Sequence, residues 1–194
     1  MKTIRIGITG HRILTQTDRR EIEAGIAEAL SKVMHTFPAY AFTILSALAE
    51  GADCLFVENA LDRLKAQLIV VLPLPDNEYL EDFTNDDAKR IFTALLPEAT
   101  DPPILISQQE DRETAYLKAG EYIVDHCDIL TAIWDGKPAQ GLGGTGQIVE
   151  IARQRGKPLI WILAGNRKPG TYIPTRLRDK QGIIRLERFP EVGS

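Results

Sequence analysis

Ile129-Leu130-Thr131-Ala132-Ile133-Trp134-Asp135-Gly136, then Gly141-Leu142-Gly143-Gly144-Thr145-Gly146-Gln147-Ile148-Val149-Glu150, then Leu159-Ile160-Trp161-Ile162-Leu163 is the stretch on which the fold turns. An apolar run ends at Trp134, a glycine-rich loop follows, a helix runs from about Thr145 to Arg155, and a second apolar run closes the unit. Neither run alternates apolar with polar residues. That is how strands read when helices cover both faces of a parallel sheet.

The same rhythm repeats outward from there. Ile4, Ile6 and Ile8 share one face of a first strand that ends near Thr9. Beyond the polar Thr15–Asp18 segment, Ile22, Ile26, Leu30, Val33 and Phe37 recur in steps of three and four and form one helical stripe. Asp18 and Glu21 have the spacing of an N-terminal cap. Phe42–Leu45 reads as a strand, Ala52–Leu64 as a helix, and Leu68–Leu72 as a strand closed by Pro73 and Pro75. Acidic Asp76–Asp87 reads as a loop, Ile91–Leu96 as part of a helix, Ile104–Ser107 as a short strand and Glu113–His126 as a helix. The pattern predicts an α/β fold: a Rossmann-like, doubly wound, mostly parallel sheet with helices on both faces. Residues 1–165 form this domain. Residues 166–194, where the rhythm is lost, form a basic C-terminal extension packed on the domain or trailing from it, with Ile183-Ile184 suited to an edge strand.

Composition narrows the function classes. A chain of 194 residues with 44% hydrophobic and 26% charged residues is one ordinary globular domain, not a fibre or a disordered segment. The net charge of −4 gives no general attraction to nucleic acid or anionic membrane. Cys54 and Cys127 lie far apart, without a Cys-x-x-Cys pair or a histidine at ligand spacing, so neither a disulfide framework nor a metal site is expected. No apolar run approaches the roughly 20 residues of a membrane span, and a cytoplasmic protein with reduced thiols is expected.

In a doubly wound sheet, ligands sit beyond the carboxyl ends of the strands, where helix N-termini present unpaired N–H groups to anions. Four loops at that end carry unusual residues. In the first, Gly10 admits close backbone approach, His11 can meet a ligand and Arg12 can fork onto a phosphate. The second offers Ser46, Glu50, Gly51 and Asp53 as a ribose or base pocket, although Asp53 also suits the first turn of a helix. The third follows Pro73 and Pro75 and brings Tyr79, a residue able to stack on a base, while its acids read as solvated. The fourth is the strongest. Trp134 and Asp135 end a strand, with Asp135 suited to ribose hydroxyls or to local capping, and four glycines fall within residues 141–146. Gly143, Gly144, Thr145 and Gly146 suit a backbone whose N–H groups, with the Thr145 hydroxyl, hold a phosphate. Glu150, in the first turns of the following helix, is the acid/base group if the protein is an enzyme. His35, His126 and Trp161 are assigned no chemistry.

Taken in order, Ile6-Gly7-Ile8-Thr9-Gly10-His11-Arg12, Ser46–Asp53, Cys127-Asp128-Ile129-Leu130 and Gly143-Gly144-Thr145-Gly146 with Glu150 resemble the SLOG superfamily over roughly residues 3–163. That superfamily joins Rossmann-like domains related to the Lonely Guy phosphoribohydrolases, DNA-processing protein A and molybdenum-cofactor carrier-like proteins. The resemblance implies a nucleotide or nucleotide-derived ligand over the Gly-rich loops, in a sensor or carrier role, and a homodimer. The hydrolase branch carries Pro-Gly-Gly-x-Gly-Thr-x-x-Glu; here Leu142 stands for the Pro and Gln147 for the Thr, and the branch's catalytic Arg falls at Ala119. Binding is therefore expected ahead of catalysis, with no cofactor. Hydrolysis of a nucleoside 5′-monophosphate by Glu150 is the first alternative. DNA handling through the basic Arg167–Arg188 tail is the second, and nucleic acid is not the expected partner.

Overall fold

The computed structural model describes residues 2–14, 19–106, 111–139, 141–166, 168, 171, 173, 175, 177 and 180–190. Along the chain lie β1 (Thr3–Gly10), α1 (Arg19–Thr36), β2 (Ala41–Ser46), α2 (Ala52–Leu64), β3 (Gln67–Leu72), α3 (Asp76–Leu80), α4 (Asp86–Leu95), β4 (Ile104–Leu105), α5 (Arg112–His126), β5 (Ile129–Trp134), α6 (Thr145–Gln154), β6 (Leu159–Leu163) and β7 (Ile184–Glu187). The strands form one sheet in the order β4-β3-β2-β1-β5-β6-β7. β1 to β6 run parallel, and β7 pairs antiparallel with β6. This is the doubly wound, Rossmann-like α/β architecture.

Burial explains why these segments became strands. All six residues of β5 are buried, so an alternating pattern there would have placed polar groups in a core. On one face, Ile6, Ile8 and Ile44 pack with Ile26 and Leu30 of α1 and Phe56 of α2. On the other, Leu45, Leu130 and Ala132 meet Ile123 of α5 and Val149 of α6. Each such side chain contributes roughly 1.5–3 kcal/mol on leaving water. The α1 stripe is as the spacing predicts, with Ile22, Ile26, Leu30 and Val33 buried.

The acidic stretch Asp76–Asp87 is not a continuous loop: it holds α3 and the start of α4. Asp76 and Glu78 sit in the first turn of α3, where carboxylates suit the helix dipole, while Tyr79 anchors it in the core. Asn85 caps α4 by accepting the Ala88 N–H. The Asp18 cap, Ser107 and Arg167 lie outside the described residues.

The winding places the site. From β1 the chain steps through β2, β3 and β4 on one side, then crosses by α5 to β5 on the other, so β1 and β5 flank the topological switch point. Their carboxyl ends are Gly10 and Trp134.

Candidate functional site

At the switch point His11 ties three elements together. Its N–H donates to the Ile133 carbonyl (3.1 Å), its carbonyl accepts the Ala52 N–H (3.1 Å), and its Nε2 accepts the Asp135 N–H (3.0 Å). Asp135 Oδ1 lies 3.2 Å from the same Nε2 and accepts the Lys137 N–H at 3.1 Å. Burial pushes the Asp135 carboxyl up, but the His11 and Lys137 contacts outweigh it and hold it below the usual carboxylate range. Both side chains therefore lock the junction of β1 and β5, which is the local capping role open to Asp135 from the sequence.

Two cavities open beyond these strand ends. The first, about 360 Å³, is bordered by His11, Glu50, Asp82, Trp134, Asp135 and Lys137. The second, about 250 Å³, is more apolar, with Ala49, Tyr116, Ala119, Ile123 and Ile148 among its walls, and Asp53 and Tyr79 as polar residues. Gly10, Arg12, Leu142, Gly144 and Thr145 border both. They are two lobes of one cleft, and the head of α6 is the partition.

The glycine loop differs in detail from the expected open cradle. The Gly143 N–H donates to the Gln147 side chain (2.8 Å), and the Gly144 N–H faces the Gly141 carbonyl at 3.3 Å, so these two amides are spent on protein acceptors. Gly143 has φ +73°, and a Cβ there would sit 2.8 Å from the Leu117 nitrogen of α5. A Cβ at Gly146 would meet the Lys137 carbonyl oxygen at 2.6 Å. Much of the glycine demand thus comes from close packing of α5 and the 137–139 loop against this turn, a contact invisible in the sequence. What remains for a ligand is the first turn of α6. The Thr145 and Gly146 N–H groups have no acceptor within the helix by geometry, and among the described residues none outside it; the Thr145 hydroxyl stands beside them.

The other predicted residues divide. Arg12 faces the cleft, but its Nη2 donates to the Asp82 carbonyl (2.9 Å) and its Nε lies 3.5 Å from Glu50 Oε1. That separation makes an ion pair without a formed hydrogen bond, which leaves both atoms buried and unbonded. Glu50 Oε2 accepts from the Thr84 N–H and hydroxyl, both at 2.9 Å. Gly51, at φ +85°, heads α2 directly under the Arg12 carbonyl, where a Cβ would collide. Ser46 is a correction: fully buried and outside both cavities, its Oγ accepts the Leu48 N–H (2.9 Å) and donates toward Asp53 Oδ2 (3.4 Å). It props a turn in which Leu48 takes the left-handed conformation, φ +51°. Asp53 is buried, and desolvation raises its pKa to about 7 against the opposing Ser46 bond. Trp134 donates its indole N–H to the Lys137 carbonyl (2.9 Å) and floors the first lobe.

Tyr79 and Glu150 are also corrections. Tyr79 has no exposed surface; it packs edge-on to Phe83 and Phe92, so it cannot lie over a ring as a stacking platform. Glu150 is exposed, accepts from Gln154 Nε2 (3.2 Å) and borders neither lobe. Ile148, Val149 and Ala152 take the buried stripe of α6, and at 3.6 residues per turn Glu150 falls on the opposite side. An acid/base role for it has no geometric footing.

Sequence reasoning missed Lys137, Asp82 and Tyr116. Lys137 follows β5 at the cleft rim, exposed and without an ion pair among the described residues. Asp82 is not a solvated acid: it accepts from Arg112 Nη1 (2.7 Å) and the Tyr116 hydroxyl (2.6 Å), and so fixes the wall that holds Arg12. A lysine three residues beyond a strand end was a usable signal; the Asp82 network, built across 30 and 34 residues of chain, was not. Among the described residues no group of three or more His, Cys, Asp or Glu is placed to hold a metal ion, and no helix is long and apolar enough to cross a membrane.

Fold and cleft together define a Rossmann-like α/β domain with a two-lobed cleft at its switch point. Among solved structures the chain is similar to DNA processing protein A from Helicobacter pylori, a single-stranded-DNA-binding protein, at 16% identity and a TM-score of 0.50, covering 92% of this chain and 69% of that one. It is also similar to the Moco carrier protein of Chlamydomonas rheinhardtii, at 16% identity and a TM-score of 0.43, covering 81% and 74%. No protein-family model and no curated protein matches the chain.

Proposed function

We propose that this protein is a SLOG-type binding domain for a nucleotide or nucleotide-derived metabolite, acting as a ligand sensor or carrier. The carrying observation is that the Thr145 and Gly146 N–H groups, open among the described residues, head a ten-residue helix at the switch point, with the exposed Lys137 bordering the same lobe. Two amides, a hydroxyl, an ammonium and the positive end of the α6 dipole make a site for one phosphate. Arg12 serves as a fixed wall of that site, because Glu50 and the Asp82 carbonyl already hold it. Of the 166–194 extension, Ile184–Glu187 form β7 at the sheet edge and Asn166 borders the first lobe.

Calorimetric titration of nucleoside 5′-monophosphates tests this, using Thr145→Glu as the control. The introduced carboxylate supplies its own anion to the helix head, which stabilises α6 by about 0.3–1 kcal/mol and excludes phosphate. Micromolar binding in the parent and at least tenfold loss in a folded variant are expected. Equal affinity in both would reject the assignment. A salt-sensitive gel shift with single-stranded DNA and no nucleotide binding would favour the DNA-handling alternative instead.

A further inference from the structure

The second lobe is not explained by phosphate binding. It lies on the α5 side of the head of α6 and is largely apolar, with Ile123, Ile148, Ala119 and Tyr116 among its walls. At about 250 Å³ it falls below the roughly 300–1,000 Å³ that whole drug-sized ligands occupy, so it suits one ring of a larger molecule. Thr9, Arg12 and Thr145 lie along it half-buried, and two further polar residues are buried. Tyr79, wholly buried, borders the lobe, and its hydroxyl has no hydrogen-bond partner among the described residues. Asp53, 4% exposed, borders it from the first turn of α2, where the Ser46 hydroxyl (3.4 Å) and the backbone of Ala47 and Ala49 hold its carboxyl. Between them the loop residues Ala47 and Ala49 line the lobe on either side of Leu48, whose left-handed backbone costs energy in a non-glycine residue.

We propose that this lobe is the recognition pocket for a neutral heteroaromatic ring of nucleobase type, and that Asp53 and the Tyr79 hydroxyl read its hydrogen-bonding edge. The inference rests on the phosphate reading above, which places the rest of the ligand at the head of α6. A phenol and a carboxylic acid can each donate and accept, so together they match an edge that offers a donor beside an acceptor. Burial keeps Asp53 in its acid form up to near neutrality, the state in which it donates. The one arginine at its edge, Arg12, is already held by Glu50 and the Asp82 carbonyl, so an uncharged ring, which buries its faces against the apolar walls and leaves an unpaired hydroxyl satisfied, suits the lobe.

The test compares ribose 5-phosphate with AMP, CMP, GMP and UMP by calorimetry. At least one base-bearing probe is expected to bind tenfold or more tightly than ribose 5-phosphate. Tyr79→Phe, which removes an unbonded hydroxyl and should leave the melting temperature unchanged or higher, abolishes most of that preference and spares ribose 5-phosphate. Asp53→Ala does the same, and Asp53→Asn, which retains a donor and an acceptor, restores it. Ribose 5-phosphate binding with no gain from any base, or a preference untouched by Tyr79→Phe, overturns this inference and leaves the phosphate site standing. Failure of every probe, ribose 5-phosphate included, overturns the phosphate site itself and this proposal with it.

Discussion

Asp53 carries a charge problem that can be read from outside the molecule. Desolvation lifts its pKa from an unfolded 3.8 to about 7, and the Ser46 hydrogen bond offsets only part of that. The native state therefore binds a proton that the unfolded chain has already released between these values, so the stability that this one group contributes is fully present below pH 4 and is lost as pH rises through 7. Three pKa units correspond to about 4 kcal/mol. Asp53→Asn removes this dependence: its melting temperature should exceed the parent's by an amount that grows from pH 4 to pH 7. A gap independent of pH would show that the carboxyl is ionised in the folded protein. Gly51 makes a second prediction at this scale. Its φ of +85° and the Arg12 carbonyl above it leave no room for a methyl group, so Gly51→Ala should cost about 2 kcal/mol or more in urea unfolding. A loss under half a kilocalorie would mean that the loops part without strain.

The elements most legible in the sequence were those whose pattern is set by burial alone. β5, β6 and α2 begin and end where their apolar runs do, because β5 is buried throughout and α2 is buried on every side over Ala52–Val57. The illegible parts were settled by neighbours distant in the chain. Asp82 looked like one acid among many until Arg112 and Tyr116 reached it, and Gly143 and Gly146 looked like ligand glycines although α5 and the 137–139 loop press on them. Glu150 misled because proximity in sequence to the glycine turn says nothing of which side of the helix a residue takes. β7 offers an elemental test. Arg153 of α6 grips Glu187 through both Nε (3.0 Å) and Nη2 (2.7 Å), a bidentate pair that fastens the antiparallel edge. A double-mutant cycle on Arg153→Ala and Glu187→Ala should return a coupling of about 1 kcal/mol, half-exposed as the pair is. Zero coupling would mean that backbone pairing with β6 holds the strand unaided.

At the scale of the whole molecule, topology concentrates function. Six parallel strands send their carboxyl ends to one side, and the reversal between β1 and β5 opens the space into which α6 points its unpaired amides. The chain is acidic overall, at −4, yet the first lobe carries the exposed Lys137 at its rim, and Asp135, Glu50 and Asp82 are each tied to protein donors. Amide NMR during titration with ribose 5-phosphate reads the central claim at its own atoms. The Thr145 and Gly146 N–H resonances should move furthest and saturate together, with Gly143 and Gly144, already bonded within the protein, shifting less. Saturation elsewhere in the spectrum with Thr145 and Gly146 unmoved would contradict it.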